Sequence, residues 1–222
     1  MPILIDLTHR VENGIPVYPG DLGVRLTADS IHGTASDGCP MAHVGRVNMG
    51  LHNGTHMDAP FHFLPHGFTI EKTPLERCVG KAVLVHLPHL APRQEICPGH
   101  LASREQELKT SRKLVLRTDW SKRWREADYF TAHPFVGTEA ARWLLERGVN
   151  LIALDFPSVD HPPYETHLVW LEAGATLVEN LTNLDQISSS SFTLIALPLP
   201  IVGMDGSPVR AVAMVDEPGT IG

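Results

Sequence analysis

Between Leu114 and Leu181 the chain alternates short apolar runs with helix-forming segments, and few architectures accommodate that alternation. Leu114–Thr118, Leu151–Asp155 and Thr176–Leu181 read as strands. Leu151-Ile152-Ala153-Leu154 is continuously apolar, as a strand buried on both faces must be. Thr138–Arg147 reads as a helix, with Thr138 as N-cap, Ala141, Leu144 and Leu145 on one face, and Gly148 as terminator. Thr166–Ala173 reads as a second helix, preceded by Pro162-Pro163 and ended by Gly174. Strand, helix, strand, helix, strand favours a partly parallel sheet. Further strands are expected at Ile3–Leu7, Arg46–His52, Ala82–Leu87, Thr193–Leu197 and Val209–Val215. In Arg46–His52 the residues Val47, Met49 and Leu51 alternate with others, which predicts a half-buried strand. No internal repeat or low-complexity linker divides the chain. One mixed α/β domain over 1–222, with a β-rich N-terminal half, is the expectation.

A formal charge of -7 argues against a nucleic-acid partner, because phosphate binding needs clustered Lys and Arg. The basic groups that do cluster, Arg112-Lys113 and Lys122–Arg125, read as exposed faces. The most apolar stretch, Phe192–Val202, is broken by Pro198 and Pro200, and no run approaches the ~20 residues that cross a bilayer. Met1–Asp6 has no basic region ahead of an apolar one, so no signal peptide is expected. Cys39, Cys78 and Cys97 are odd in number and widely spaced, which fits a reducing cytoplasm rather than a disulfide framework.

Of the 13 histidines, four fall between positions 52 and 66. Imidazole is the commonest metal ligand, so the spacing matters. In Leu51–Phe63, His52, His56 and Asp58 lie within seven residues, with His62 four beyond. If extended, His52 and His56 would stand about 13 Å apart at ~3.3 Å per residue. Two imidazoles on one ion must be far closer. The chain must therefore coil, either at Asn53-Gly54 or on one helical turn. Pro60 would then stop any helix and hold Ala59 extended. Any one of these residues alone reads as an exposed loop residue; the combined pattern reads as a divalent-metal site. Nitrogen and carboxylate ligands without thiolate suit zinc, and also manganese or iron.

A second cluster follows about a hundred residues on: Asp155-Phe156-Pro157-Ser158-Val159-Asp160-His161, then Glu165, His167 and Glu179. His167 would fall in the first turn of a helix, whose dipole favours the neutral, ligating imidazole. Glu179 has apolar neighbours in its strand, so it either faces water at an edge or is paired with a cation. Tyr18-Pro19-Gly20-Asp21 and Gly203–Pro208 read as turns.

At this point the residues resemble the cyclase-like metal hydrolases that include bacterial kynurenine formamidase and isatin hydrolase. Their hallmark, His-x-Gly-Thr-His-x-Asp-x-Pro-x-His, is met at every fixed position of His52–His62. Supporting matches include Ile5–Thr8, Tyr18–Asp21, Asp155–Asp160, Val178–Leu181, Leu197–Leu199 and Gly206–Arg210. The resemblance implies a swivelling β/β/α fold, with His52, His56 and Asp58 as metal ligands. It further implies that Asp58 bridges to a second metal held with His167 and Glu179, and that His62 transfers the proton. Position 18, which lines the substrate pocket and is typically tryptophan in kynurenine formamidases, is Tyr18 here. The paired histidines expected near position 167 are replaced by Glu165-Thr166-His167.

The implied function is arylformamidase-type hydrolysis of N-formyl-L-kynurenine to L-kynurenine and formate. The alternatives are opening of a cyclic amide of the isatin kind, or of another small carbonyl substrate, and metal binding without catalysis. The implied cofactor is one or two divalent ions, zinc first and manganese second. The implied partners are a small-molecule substrate and further copies of the chain, as a dimer or tetramer.

Overall fold

The computed structural model describes residues 1–216. Its main sheet comprises β1 (Ile3–Asp6), β2 (His56–Asp58), β3 (Val79–His86), β4 (Lys113–Arg117), β5 (Leu151–Leu154), β6 (Thr176–Glu179), β7 (Ser191–Pro198) and β8 (Gly206–Val215). The spatial order is β1-β8-β7-β3-β4-β5-β6-β2, and β2 also pairs with the start of β8. Seven strands thus close into a barrel-like ring, while β1 continues along the same edge of β8. Strands β3 to β6 run parallel. Their crossovers carry α1 (Glu105–Ser111), α2 (Thr138–Glu146) and α3 (Glu165–Glu172).

The apolar runs of the parallel strands follow from burial on both faces. Val83, Val85, Leu114, Leu116, Ile152, Leu154 and Leu177 point to the helices, where they pack with Leu108, Ala141, Leu144 and Trp170. Their neighbours Ala82, Leu84, Val115, Leu151, Ala153 and Val178 point into the ring. There they meet Met57, Ala196, Ala211 and Ala213, and the many alanines suit the narrow interior of a small barrel. Trp170 Nε1 donates to Thr176 O at 3.0 Å, fastening α3 to the strand behind it.

Several boundaries depart from the sequence expectations. Residues Val44–Asn48, not 46–52, form a strand, and every one of them is exposed. Among the described residues they pair only with Arg25–Ser30, in a separate two-stranded ribbon, so the alternation at Val47 marked a real strand but not a half-buried one. The N-cap of α2 is Gly137, with Thr138 one place inside. Lys113 is buried rather than exposed; its ammonium donates to Glu76 O at 3.0 Å. Strand β2, only three residues long, and α1 were not anticipated. In β2 the polar ligand types mask the strand pattern.

Two histidines sit where desolvation must keep them neutral, His133 buried and His9 half-buried. His9 stacks on Trp124 at 4.0 Å between ring centres, and burial pushes its pKa down to about 4. His133 lies between Phe156 and His161, and burial pushes it down to about 3. The unfolded chain binds protons at both below about pH 6.5, while the folded chain does so only below about 4 at His9 and about 3 at His133. Their effect on stability is therefore absent above pH 6.5 and grows as a loss between pH 6.5 and 4. In metal-free protein, His9→Phe is expected to shrink the drop in Tm between pH 7 and pH 4.5, measured by thermal melts. An unchanged drop would refute the assignment.

Candidate metal centre

The site forms where the ring closes. On β2, alternation sends Met57 into the barrel core and turns His56 and Asp58 to the opposite face. The register sets His56 directly across from Glu179 of β6, and Asp58 across from Gly206 of β8. His56 Nε2 lies 3.5 Å from Glu179 Oε2 and 3.3 Å from Asp58 Oδ1. The coil required between His52 and His56 is supplied by Gly54, whose φ of 68° is left-handed, and no helical turn forms. His52 then folds back so that its Nδ1 is 2.8 Å from Asp58 Oδ1. A Cβ on Gly206 would stand 2.7 Å from His52 Cε1 and 2.9 Å from Met57 O, so only glycine lets the ring lie there.

His167 arrives from α3. Asp160 Oδ2 accepts from the Thr166 and His167 amides at 2.6 and 3.2 Å, which anchors the start of that helix. Asp160 Oδ1 accepts from His167 Nδ1 at 2.5 Å, leaving Nε2 to face Glu179 Oε1 at 3.7 Å and Asp58 Oδ2 at 3.9 Å. His56 is fixed in the same sense, since Nδ1 donates to Gly54 O at 2.9 Å and leaves Nε2 free to ligate. Glu179 is buried, not at a wet edge, and its Oε1 accepts from the Val159 amide at 2.9 Å.

These residues make two donor triplets, His52–His56–Asp58 and Asp58–His167–Glu179, each with its ligand atoms within 4.8 Å of one another. Asp58 belongs to both. Its Oδ2 is buried and has no hydrogen-bond partner among the described residues, the mark of an atom that expects a cation. Burial by itself would lower the imidazole pKa values. The neighbouring Asp58 and Asp205 override it and push His52 up to about 9. Asp58 and Glu179 do the same for His56, up to about 10, and Asp160 and Glu179 raise His167. Asp58 is held well below the carboxylate range despite its burial, chiefly by His52. The cluster thus demands positive charge, and divalent cations suit its nitrogen and carboxylate donors.

His62 lies beside the two triplets, stacked on His52 at 3.9 Å between ring centres. The segment Pro60–His62 is a 3-10 turn rather than extended, and Ala59 ahead of it is extended as expected. Asp205, read from sequence as part of a turn, accepts from both His52 Nε2 at 2.8 Å and His62 Nδ1 at 3.1 Å. Those two hydrogen bonds hold its carboxyl far below the usual range. Asp160 and Asn180 were also missed as individuals. Asn180 Nδ2 donates to Gly54 O at 3.1 Å, and Asn180 O accepts from Thr55 Oγ1 at 2.6 Å, tying the ligand loop to the end of β6. The only signal for them was proximity in sequence to ligand types. Above the cluster opens a cleft of about 400 Å³, lined by Tyr18, Phe63, Phe130 and Tyr164 besides the polar groups.

The profile of the Cyclase family matches residues 5–161. The kynurenine formamidase of Bordetella petrii is 34% identical over 227 residues, covering 96% of this chain and 98% of that protein. The kynurenine formamidase of Geobacillus thermodenitrificans is 33% identical, covering 93% of this chain and 95% of that protein. Isatin hydrolase A of Labrenzia aggregata superposes with a TM-score of 0.83 at 31% identity, covering 97% of this chain and 94% of that one. The chain therefore belongs to the Cyclase family.

Proposed function

We propose that the chain hydrolyses small aryl amides at a divalent-metal centre, with N-formyl-L-kynurenine as the first candidate substrate. The observation that supports this most is the pair of donor triplets sharing buried Asp58 beneath an aromatic cleft. In this reading His52, His56 and Asp58 hold one ion, and Asp58, His167 and Glu179 hold a second. Zinc is the first expectation and manganese the second. The metal supplies Lewis-acid polarisation of the amide carbonyl and a nucleophile at neutral pH. The protein's own groups do the rest. Tyr18, Phe63, Phe130 and Tyr164 present ring faces and edges to an aromatic substrate. His62 stands beside the ligands with Nδ1 held by Asp205, which orients its other nitrogen for proton transfer to the departing amine. An aryl amine leaves more readily than an alkyl amine, so anilides suit the site.

Opening of a cyclic aryl amide is the second reading, favoured by the likeness to an isatin hydrolase. A substrate panel of N-formyl-L-kynurenine, formanilide and isatin separates the two. A metal-binding protein without catalysis is the reading of another class, and metal-loaded protein that turns over none of the three would favour it. We read residues 1–222 as one domain acting in the cytoplasm, where three unpaired cysteines are stable. No helix among the described residues is long and apolar enough to cross a membrane.

We also read the exposed ribbon of Arg25–Ser30 and Val44–Asn48 as a contact between copies of the chain. Isolated two-stranded ribbons are marginal in water, and this one exposes Leu26, Val44 and Val47. A dimer or tetramer is expected by mass photometry, and Val44→Asp with Val47→Asp is expected to shift it toward monomer. Monomeric wild-type protein would refute this contact.

His52→Ala and His56→Ala are expected to lose both metal and turnover, because each removes a donor from the first triplet. His167→Ala and Glu179→Ala are expected to lower the metal-to-protein ratio. Elemental analysis checks this, and full occupancy in the first two variants would rule out the assignment.

His62→Ala is expected to keep its metal while turnover falls by roughly 10² to 10⁴. His62 also makes a donor triplet with His52 and Asp205, so metal content is the deciding measurement. Metal loss comparable to that of His56→Ala would make His62 a ligand instead.

A further inference from the structure

A third group of donors adjoins the two triplets of the metal centre. His52, His62 and Asp205 also present ligand atoms within 4.8 Å of one another. The three groups form a chain: Asp58 belongs to the two inner ones, and His52 joins the first of these to the outer one. His52 serves both sides because its two nitrogens face different carboxylates. Nδ1 is 2.8 Å from Asp58 Oδ1, and Nε2 is 2.8 Å from Asp205 Oδ2. The same Asp205 oxygen lies 3.1 Å from His62 Nδ1, and the two imidazoles stack with their planes 26° apart. Two ring nitrogens thus converge on one carboxylate oxygen.

The outer triplet differs from the inner pair in access. His56, Asp58, His167 and Glu179 are buried, whereas the side chains of His52, His62 and Asp205 are 20%, 28% and 36% exposed. All three line the cleft, so an ion in solution can reach them from there. The carboxylates of Asp21 and Glu179 line the same cleft, and among the described residues no lysine or arginine does. No side-chain cation therefore opposes an ion at the outer triplet. Two imidazoles and one carboxylate are a donor set that suits zinc. Affinity is limited by what the inner triplets hold. Inner ions repel a third, and His52, with Nδ1 engaged, must give up its remaining ring proton to ligate through Nε2. An outer ion is thus the weakest held and the first to leave on dialysis.

Such an ion takes the nitrogen of His62 that otherwise donates to Asp205. A neutral imidazole has one nitrogen with a proton and one with a lone pair. With Nδ1 committed to an ion, Nε2 carries the proton and has no lone pair left. His62 can then no longer accept a proton and pass it on. We propose that His52, His62 and Asp205 form an outer, inhibitory zinc site whose occupancy stops turnover. The inhibition rests on the reading of His62 as the proton-transferring group; the binding of the ion does not.

The test starts from protein that has kept its tightly held metal through dialysis. It is titrated with zinc chloride, and bound zinc per chain and turnover of formanilide are measured on the same samples. Wild-type protein is expected to take up one further ion per chain, with turnover falling in step with that occupancy and returning on dialysis. In Asp205→Asn and in His62→Gln, affinity for the further ion is expected to drop at least about tenfold, since even a group that only orients a ligand is worth about 10- to 100-fold. The residual turnover of Asp205→Asn is expected to resist zinc by the same factor. Both variants are expected to keep the dialysis-resistant metal; its loss would place His62 and Asp205 among the inner ligands and overturn the proposal. No further ion in wild type, or one bound equally well by both variants, overturns the site. A further ion that leaves turnover unchanged overturns the inhibition. If the ion binds and both variants weaken it while no formanilide is hydrolysed, the site stands and the hydrolase reading falls.

Discussion

Asp58 is a carboxylate taken out of water with one oxygen left unmatched, and much of the structure is arranged around it. Burying such a charge alone would cost several kcal/mol, so positive charge must be brought to it. His52 and His56 approach Oδ1 from the loop and strand before it, while His167 faces Oδ2 from a helix more than a hundred residues on. Without a metal, protons on the imidazoles provide the charge, which is why their affinities for protons rise despite burial. Divalent ions held by the two donor triplets would displace those protons.

The barrel is what holds that carboxylate in place. Strand β2 is too short to be stable alone, and it is held on one side by β6 and on the other by β8. Both partners contribute chemistry at their contact: Glu179 ends β6, and Asp205 precedes β8. Closing the ring and assembling the cluster are therefore one event. The core beneath supplies the rigidity, because Met57 is locked among the alanines of β7 and β8 while its two neighbours turn outward. The polar atoms that orient the imidazoles are backbone or buried carboxylate acceptors, Gly54 O and Asp160 Oδ1, rather than mobile surface groups.

Above the cluster, the cleft changes character from charged to aromatic within the length of one side chain. Phe63 stands 4.6 Å from His167 between ring centres, so an aromatic substrate would contact the wall and the cluster together. The hydrogen bond between the Tyr18 and Tyr164 hydroxyls couples that wall to α3, the helix whose first turn Asp160 anchors. The candidate ligands and the aromatic wall of the cleft thus share one mechanical support.

The local half of this design was legible in the residues themselves. The eleven residues from His52 to His62 carry three donors and one adjacent histidine in a spacing that only a coiled chain can use. The apolar runs Leu114–Leu116 and Leu151–Leu154 announce strands buried on both faces. Glu179 is conspicuous because its neighbours are apolar. What the sequence could not show was which distant residues meet. Asp205 looks like any turn aspartate until β8 pairs with β2, and Tyr164 looks like any loop tyrosine until its hydroxyl reaches Tyr18. The ribbon at Val44–Asn48 has the alternation of a half-buried strand, yet no sheet face covers it. The pattern within a segment is set by local geometry, so the chain alone determines it. Contacts across more than a hundred residues depend on register and ring closure, and only the tertiary structure decides those.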